Sequence, residues 1–425
     1  MTFVSPPSER SERWGEYPEG GRGVLGGVPT RRRGHPPAMP VTWLVERDPP
    51  RETTMIDRPP FSADHVGSFL RPNTVVDARA QRAAGEIGPE KLREVEDAAI
   101  AEVVRQQEDV GLKGITDGEF RRFMFHLDFL EQLDGVTVTE GEFLARFHRT
   151  DGTEVEFSPP TMHVEAPIRH AGPIQGADFD YLASQVTNTA KVSIPAPSML
   201  HFRGGRRAIS EEVYPDLDQF FEDLTAAYRE EIADLASRGA RYVQMDDTNL
   251  AYLCDPEVRE RTAARGDDPD ELTRLYSRLV NDAFKGRPDD MVAAIHLCRG
   301  NFQSAWVTQG GYEPVAEILF NEMDVDVFFL EYDDERSGDF APLRFLPEDK
   351  KVVLGLMSSK ESRVEDADEV KKRIDEAAIN VPLNQLALSH QCGFSSTVHG
   401  NQITPDDQWR KLARTVEVAH DVWGY

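Results

Sequence analysis

The stretch Met291-Val292-Ala293-Ala294-Ile295-His296-Leu297-Cys298 reads as a buried strand that turns polar only where it ends. Its opening apolar run suits a strand covered on both faces, as in a parallel sheet. Strand side chains alternate, so His296 and Cys298 point the same way, about 7 Å apart. That separation suits two ligands of one metal ion. Two further residues stand where apolar runs give out: Glu331, ending Val327-Phe328-Phe329-Leu330-Glu331, and Cys392, after Leu386-Ala387-Leu388-Ser389-His390-Gln391. An imidazole, a carboxylate and two thiolates form a tetrahedral set that selects Zn2+ over the hard cations magnesium and calcium.

Outward from this strand the same rhythm repeats. Strands are expected at 63–68, 114–119, 191–197, 242–247, 291–298, 325–331, 351–357 and 386–392, most of them followed by a helix. The helix at 89–110 is the clearest, with Pro89 at its first position, Glu90 beside it and Gly111 at its end. Eight alternating units predict an α/β fold, a (β/α)8 barrel of the TIM type, with a small β insertion between about 136 and 174. An open doubly wound sheet is the rival, but no G-x-G-x-x-G turn follows any strand. In a barrel the C-terminal strand ends meet at one mouth. Gly67-Ser68, Asp117 and Glu119, Asp246 and Asp247, His296 and Cys298, Glu331 and Cys392 all fall there. The Val66-Gly67-Ser68 turn suits a small carboxylate, and Glu119 and Asp246 suit ligand contact. The basic loop His201-Phe202-Arg203-Gly204-Gly205 suits an anion.

A net charge of −27 over 425 residues argues against nucleic acid or an anionic membrane surface as partner. No apolar run is long enough to span a bilayer. Three cysteines make no disulfide framework, and a reducing cytoplasm is expected, where Cys298 and Cys392 stay available. Residues 1–60 hold 11 of the 28 prolines without apolar periodicity, so a disordered tail or a misplaced start is expected there, with the catalytic domain over 61–425.

Asp64-His65-Val66-Gly67-Ser68-Phe69-Leu70-Arg71-Pro72, Thr116-Asp117-Gly118-Glu119-Phe120-Arg121-Arg122, Gln244-Met245-Asp246-Asp247, His296-Leu297-Cys298 and Gln391-Cys392-Gly393 together resemble the cobalamin-independent methionine synthase family, in particular its short members with one catalytic barrel. The resemblance implies zinc on His296, Cys298, Glu331 and Cys392. It also implies homocysteine gripped at its amino-acid end by Val66, Gly67, Ser68, Glu119 and Asp246. The donor it implies is 5-methyltetrahydrofolate with a polyglutamate tail. One departure stands out. After the seventh strand the large synthases carry an aspartate and then a proton-donating histidine; this chain has Leu354-Gly355-Leu356-Met357-Ser358-Ser359-Lys360, with Met357 at or near the histidine's place. The proton required by the leaving amine must then come from elsewhere; His390, Lys360 and Asp247 are the candidates. A methyl corrinoid or an epoxide would need no such acid and stays open as the donor, as does another thiol as acceptor.

Overall fold

The computed structural model describes residues 58–139, 141, 145–149 and 151–424; the expectation of a disordered tail falls almost wholly outside them. The fold is mixed α/β, built on a parallel sheet of six strands in the order Leu386–His390, Lys351–Met357, Val327–Glu331, Val292–Leu297, Tyr242–Asp247, Val192–Pro195. Chain neighbours are sheet neighbours throughout, the arrangement that repeated crossover connections produce. The crossovers include the helices Leu217–Ser237, Pro269–Phe284, Glu313–Glu322 and Ala367–Ala377.

Of the eight expected strands, six lie in this sheet. The expected 114–119 strand is only Gly114–Ile115, paired in parallel with Thr189–Ala190 just before the Val192–Pro195 edge. The expected 63–68 strand is a single parallel bridge, Ala63 to Leu388, at the opposite edge. Both segments leave extended geometry early, at Gly67 (φ 143°), Gly118 (φ 69°) and Glu119 (φ 59°). Phe69 N still donates to Gly118 O at 3.1 Å, and Thr116 Oγ1 to Gly67 O at 2.6 Å, so the two turns lie side by side. The Pro89–Val110 helix has its expected bounds, closed by Gly111 at φ 99°, a left-handed cap that costs glycine little.

Alternation along the strands decides what faces what. Tyr242, Ala294, Val327, Phe329, Val353 and Ala387 form one small apolar cluster with Val66, on the face away from the main helix-packed core. Asp246, His296 and Glu331 share the parity of Tyr242, Ala294 and Phe329, so all three point to that inner face. His390 has the opposite parity to Ala387 and points outward. On the inner side, Lys191 is fully buried, with Nζ 3.1 Å from Asp64 Oδ1 and 4.1 Å from the centre of the Phe329 ring. Tyr242 donates its hydroxyl to the other Asp64 oxygen at 2.7 Å. Lys191→Met is expected to destabilise the fold by about 3–5 kcal/mol in urea unfolding, because Asp64 is left as a buried charge without its ammonium.

The expected insertion is two antiparallel pairs, Leu133–Thr139 with Thr161–His170 and Ala145–His148 with Glu154–Phe157. The second pair is pinned across the strand ends. His148 N donates to Trp306 O at 2.7 Å, and Trp306 N to His148 O at 2.8 Å. Phe157 stacks on Phe302 at 4.3 Å. Among the described residues, no helix is long and apolar enough to cross a membrane.

Candidate functional site

His296 sits near the end of its strand, Cys298 just beyond it, and Cys392 two residues after the Leu386–His390 strand. One ligand atom from each lies within 4.8 Å of the others, and all three residues are buried. The two sulfurs are 3.3 Å apart, far beyond a disulfide, and both cysteines are free. Both ring nitrogens of His296 are buried without a hydrogen-bond partner. Buried polar atoms are rarely left so, and a metal ion is the partner that thiols and an imidazole together suit. The sulfurs act as a pair: the hydrogen bond between them, with burial, pushes Cys298 up, and the same bond, with His296, pulls Cys392 down against burial, so one proton is shared.

Glu331 is buried beside this trio but is not among the mutually close donors. Its Oε1 takes Arg336 Nη2 at 2.7 Å and Lys360 Nζ at 3.4 Å, and its Oε2 accepts from Arg299 N at 3.2 Å. Burial alone would raise its pKa, but Lys360, Arg336 and Arg299 outweigh it and hold the carboxylate at about 2. Three of the four expected ligands are therefore together, with the fourth held by neighbouring cations.

The Val66–Ser68 turn, Glu119 and Asp246 are equally built into the structure. Gly393 lets the Cys392 loop close on the Val66-Gly67-Ser68 turn: a Cβ there would stand 1.9 Å from Ser68 Oγ. Phe394 N donates to Ser68 O at 2.9 Å, and Ser395 N to Ser68 Oγ at 3.2 Å. Glu119 holds a left-handed φ of 59°, uncommon for a residue with a side chain. Arg71 Nη2 fixes its carbonyl at 2.8 Å. Ser193 Oγ donates to Glu119 Oε1 at 3.0 Å, while Oε2 is buried without a partner. Asp246 accepts from Gln244 Nε2 at 2.7 Å. Burial, reinforced by Glu119 and opposed by His296, raises its pKa to about 7. One cavity of about 170 Å3 is lined by Val66, Ser68, Glu119 and Asp246 together with the His296–Cys298–Cys392 trio.

The proton-source candidates fare differently. Asp247 lines the cavity but is occupied by Ser198 Oγ and by Leu250 N at 2.7 Å. Lys360 is taken by Glu331. His390 is absent from the cavity wall: its ring lies 4.7 Å from Phe394, and burial, with Lys411 and His65 nearby, drives its pKa well down. Gly355, inside the Lys351–Met357 strand, is a close approach of two backbones. A Cβ there would meet Gln391 Cα at 2.7 Å and Leu330 O at 2.8 Å. Gly355→Ala is expected to cost about 1–3 kcal/mol in urea unfolding, since two backbones must part.

Sequence reasoning missed the outer wall of the cavity. Phe125, His126, Phe147, Phe157 and Phe302 reach it from the loop after Glu119, the insertion and the loop after Cys298. Arg203, from the basic loop, joins them. The insertion strands are short and half-exposed, which left little periodicity to read.

The cobalamin-independent synthase catalytic-domain model matches residues 61–420. Uncharacterized protein YxjG of Bacillus subtilis is 43% identical over 384 residues, 89% of this chain and all of that one. A solved Listeria monocytogenes structure, provisionally a vitamin-B12 independent methionine synthase, is 39% identical with a TM-score of 0.69, covering 86% of this chain and 99% of that one. The 5-methyltetrahydropteroyltriglutamate–homocysteine methyltransferase of Corynebacterium efficiens is 26% identical over 80% of this chain, which spans only 41% of that longer protein. The chain belongs to the cobalamin-independent synthase catalytic-domain family, a family of methyltransferases.

Proposed function

We propose that this protein transfers a methyl group to the thiol of homocysteine, giving methionine, with 5-methyltetrahydrofolate as donor. The supporting observation is a single cavity that joins the His296–Cys298–Cys392 trio to two buried carboxylates, Glu119 and Asp246. The architecture we infer is a (β/α)8 barrel, closed through the Ala63 bridge at one edge and the Gly114–Ile115 pairing at the other. Zinc would be held by His296, Cys298, Cys392 and Glu331, the last once it leaves Arg336 and Lys360. When bound, the ion lowers the pKa of a substrate thiol so that the nucleophilic thiolate exists at neutral pH.

The chain's own residues do the rest. Glu119 and Asp246 receive the substrate ammonium, whose positive charge relieves the repulsion between them. The Val66–Ser68 turn takes the carboxylate. The aromatic outer wall shuts water from the thiolate, which would otherwise be solvated and slow. The departing nitrogen needs a proton, which must reach it within this cavity. Membership of a cobalamin-independent family leaves the methyl corrinoid without support as donor. Free thiols at the site suit a reducing, cytoplasmic setting.

The test is methionine formation, followed by mass spectrometry, from the zinc-loaded full chain with homocysteine and 5-methyltetrahydrofolate bearing one or three glutamates. Methionine from either supports the reading. None from either, with zinc stoichiometric and homocysteine bound, overturns it.

A further inference from the structure

One cation of the cavity wall has no role in the scheme above. Arg203 stands just past the Pro197–Leu200 turn and lines the same cavity as Cys298 and Cys392. Its Nη1 is shut from solvent with no hydrogen-bond partner, and among the described residues no carboxylate forms an ion pair with it. Burial lowers its pKa, with Tyr252 the opposing influence. His126, also on the wall, has its pKa driven well down by burial and by the Arg203 charge. The loop that carries Arg203 is fixed from behind. Arg265 Nη1 donates to Phe202 O at 2.9 Å, Gly205 N to His201 O at 2.6 Å, and His201 Nδ1 meets Tyr276 OH at 2.9 Å. The backbone on either side of Arg203 is therefore held, and its guanidinium has no carboxylate partner among the described residues.

Arg203 is part-buried, and a guanidinium nitrogen shut from solvent without an acceptor is costly unless something anionic arrives. Glu119 and Asp246 line the cavity but do not pair with Arg203, which sets the amino-acid end of the acceptor apart from it. Phe125, Phe147 and Phe157 give the remaining wall aromatic rings on which a planar group can stack.

We propose that Arg203 is the receptor for the anionic group of the methyl donor, and that the donor is a flat, ring-bearing molecule carrying a carboxylate. This rests on the folate reading above and names the residue that would recognise the donor's charge. A guanidinium can take a carboxylate through two parallel N–H donors, which fixes the direction of the attached ring.

Isothermal titration of the full chain tests it without turnover, using homocysteine, 5-methyltetrahydrofolate, and the diamide of 5-methyltetrahydrofolate in which both carboxyl groups are neutral. Arg203→Met is expected to weaken 5-methyltetrahydrofolate roughly 30-fold while homocysteine changes less than about two-fold, with Arg203→Lys recovering part of the loss. The diamide is expected to bind wild type and Arg203→Met alike, and more weakly than the acid binds wild type. Unchanged homocysteine affinity shows that the variant is folded. Loss of homocysteine affinity in Arg203→Met overturns the proposal, as does equal binding of acid and diamide by wild type. Wild type binding neither form would instead remove the folate reading itself, and the donor assignment with it.

Discussion

Cys298→Ser and Cys392→Ser are each expected to lose zinc and methyl transfer together. Serine keeps the shape but offers a hard oxygen that stays protonated, where the trio now offers two sulfurs 3.3 Å apart sharing one proton. A structural zinc site is worth roughly 10–16 kcal/mol across four ligands, so one ligand accounts for about 3 kcal/mol, on the order of 100-fold in affinity. Competition against a chromophoric chelator reads that loss directly, and methionine formation should fall in proportion at limiting zinc. The sign of the pH effect follows from the shared proton. Zinc must expel it, and at His296 burial is outweighed by Cys392, Asp246 and Glu331, which raise its pKa, so a second proton must leave and affinity should weaken more than about tenfold for each pH unit below neutrality. Cys254→Ser is the control. Cys254 is buried elsewhere with its thiol pushed up to about 11, and its replacement should leave zinc unaffected. Full zinc stoichiometry and full turnover in either Cys298→Ser or Cys392→Ser would sink the ligand assignment.

What the sequence disclosed here was the inner face of the sheet. Strands buried on both sides read as apolar runs, so a polar residue at the end of one stands out: His296, Glu331 and Asp246 were visible for that reason. Parity then placed all three on one face. His390 was visible by the same break, yet parity turns it toward Phe394 and the helix-side core, which a list of strand-end polar residues does not show. The two first strands were over-read because Val66–Ser68 and Asp117–Glu119 carry apolar neighbours but bend at glycines. Glu331 was read as a ligand from its position alone. The cations that hold it come from Arg336 in the next loop and Lys360 beyond the next strand, and no local pattern announces a partner 29 residues away. The aromatic wall was hidden for a different reason, since it is assembled from two loops and the strands of the insertion.

Glu119→Gln is expected to raise the KM for homocysteine with a smaller change in kcat, because it removes a charge that meets the substrate and leaves the thiol site untouched. The carboxylate is already poised for a cation. It is buried, its Oε2 has no partner, its backbone is held in a left-handed turn by Arg71, and Asp246 raises the cost of its charge. Arg122 stands 3.7 Å from Oε1 and compensates part of that charge, so the fold should survive the loss of it. A hydrogen bond to a charged group is worth about 2 kcal/mol, which converts to roughly 30-fold in KM. The discriminating ligand is 4-mercaptobutyrate, homocysteine without its amino group. It should bind wild type weakly, and Glu119→Gln should bind it no worse than wild type does, since the amide asks nothing of a missing ammonium. If the variant weakened homocysteine and 4-mercaptobutyrate equally, Glu119 would be shaping the turn around Ser68 and not reading the amine. The acceptor would then have to be sought among thiols without an amino group.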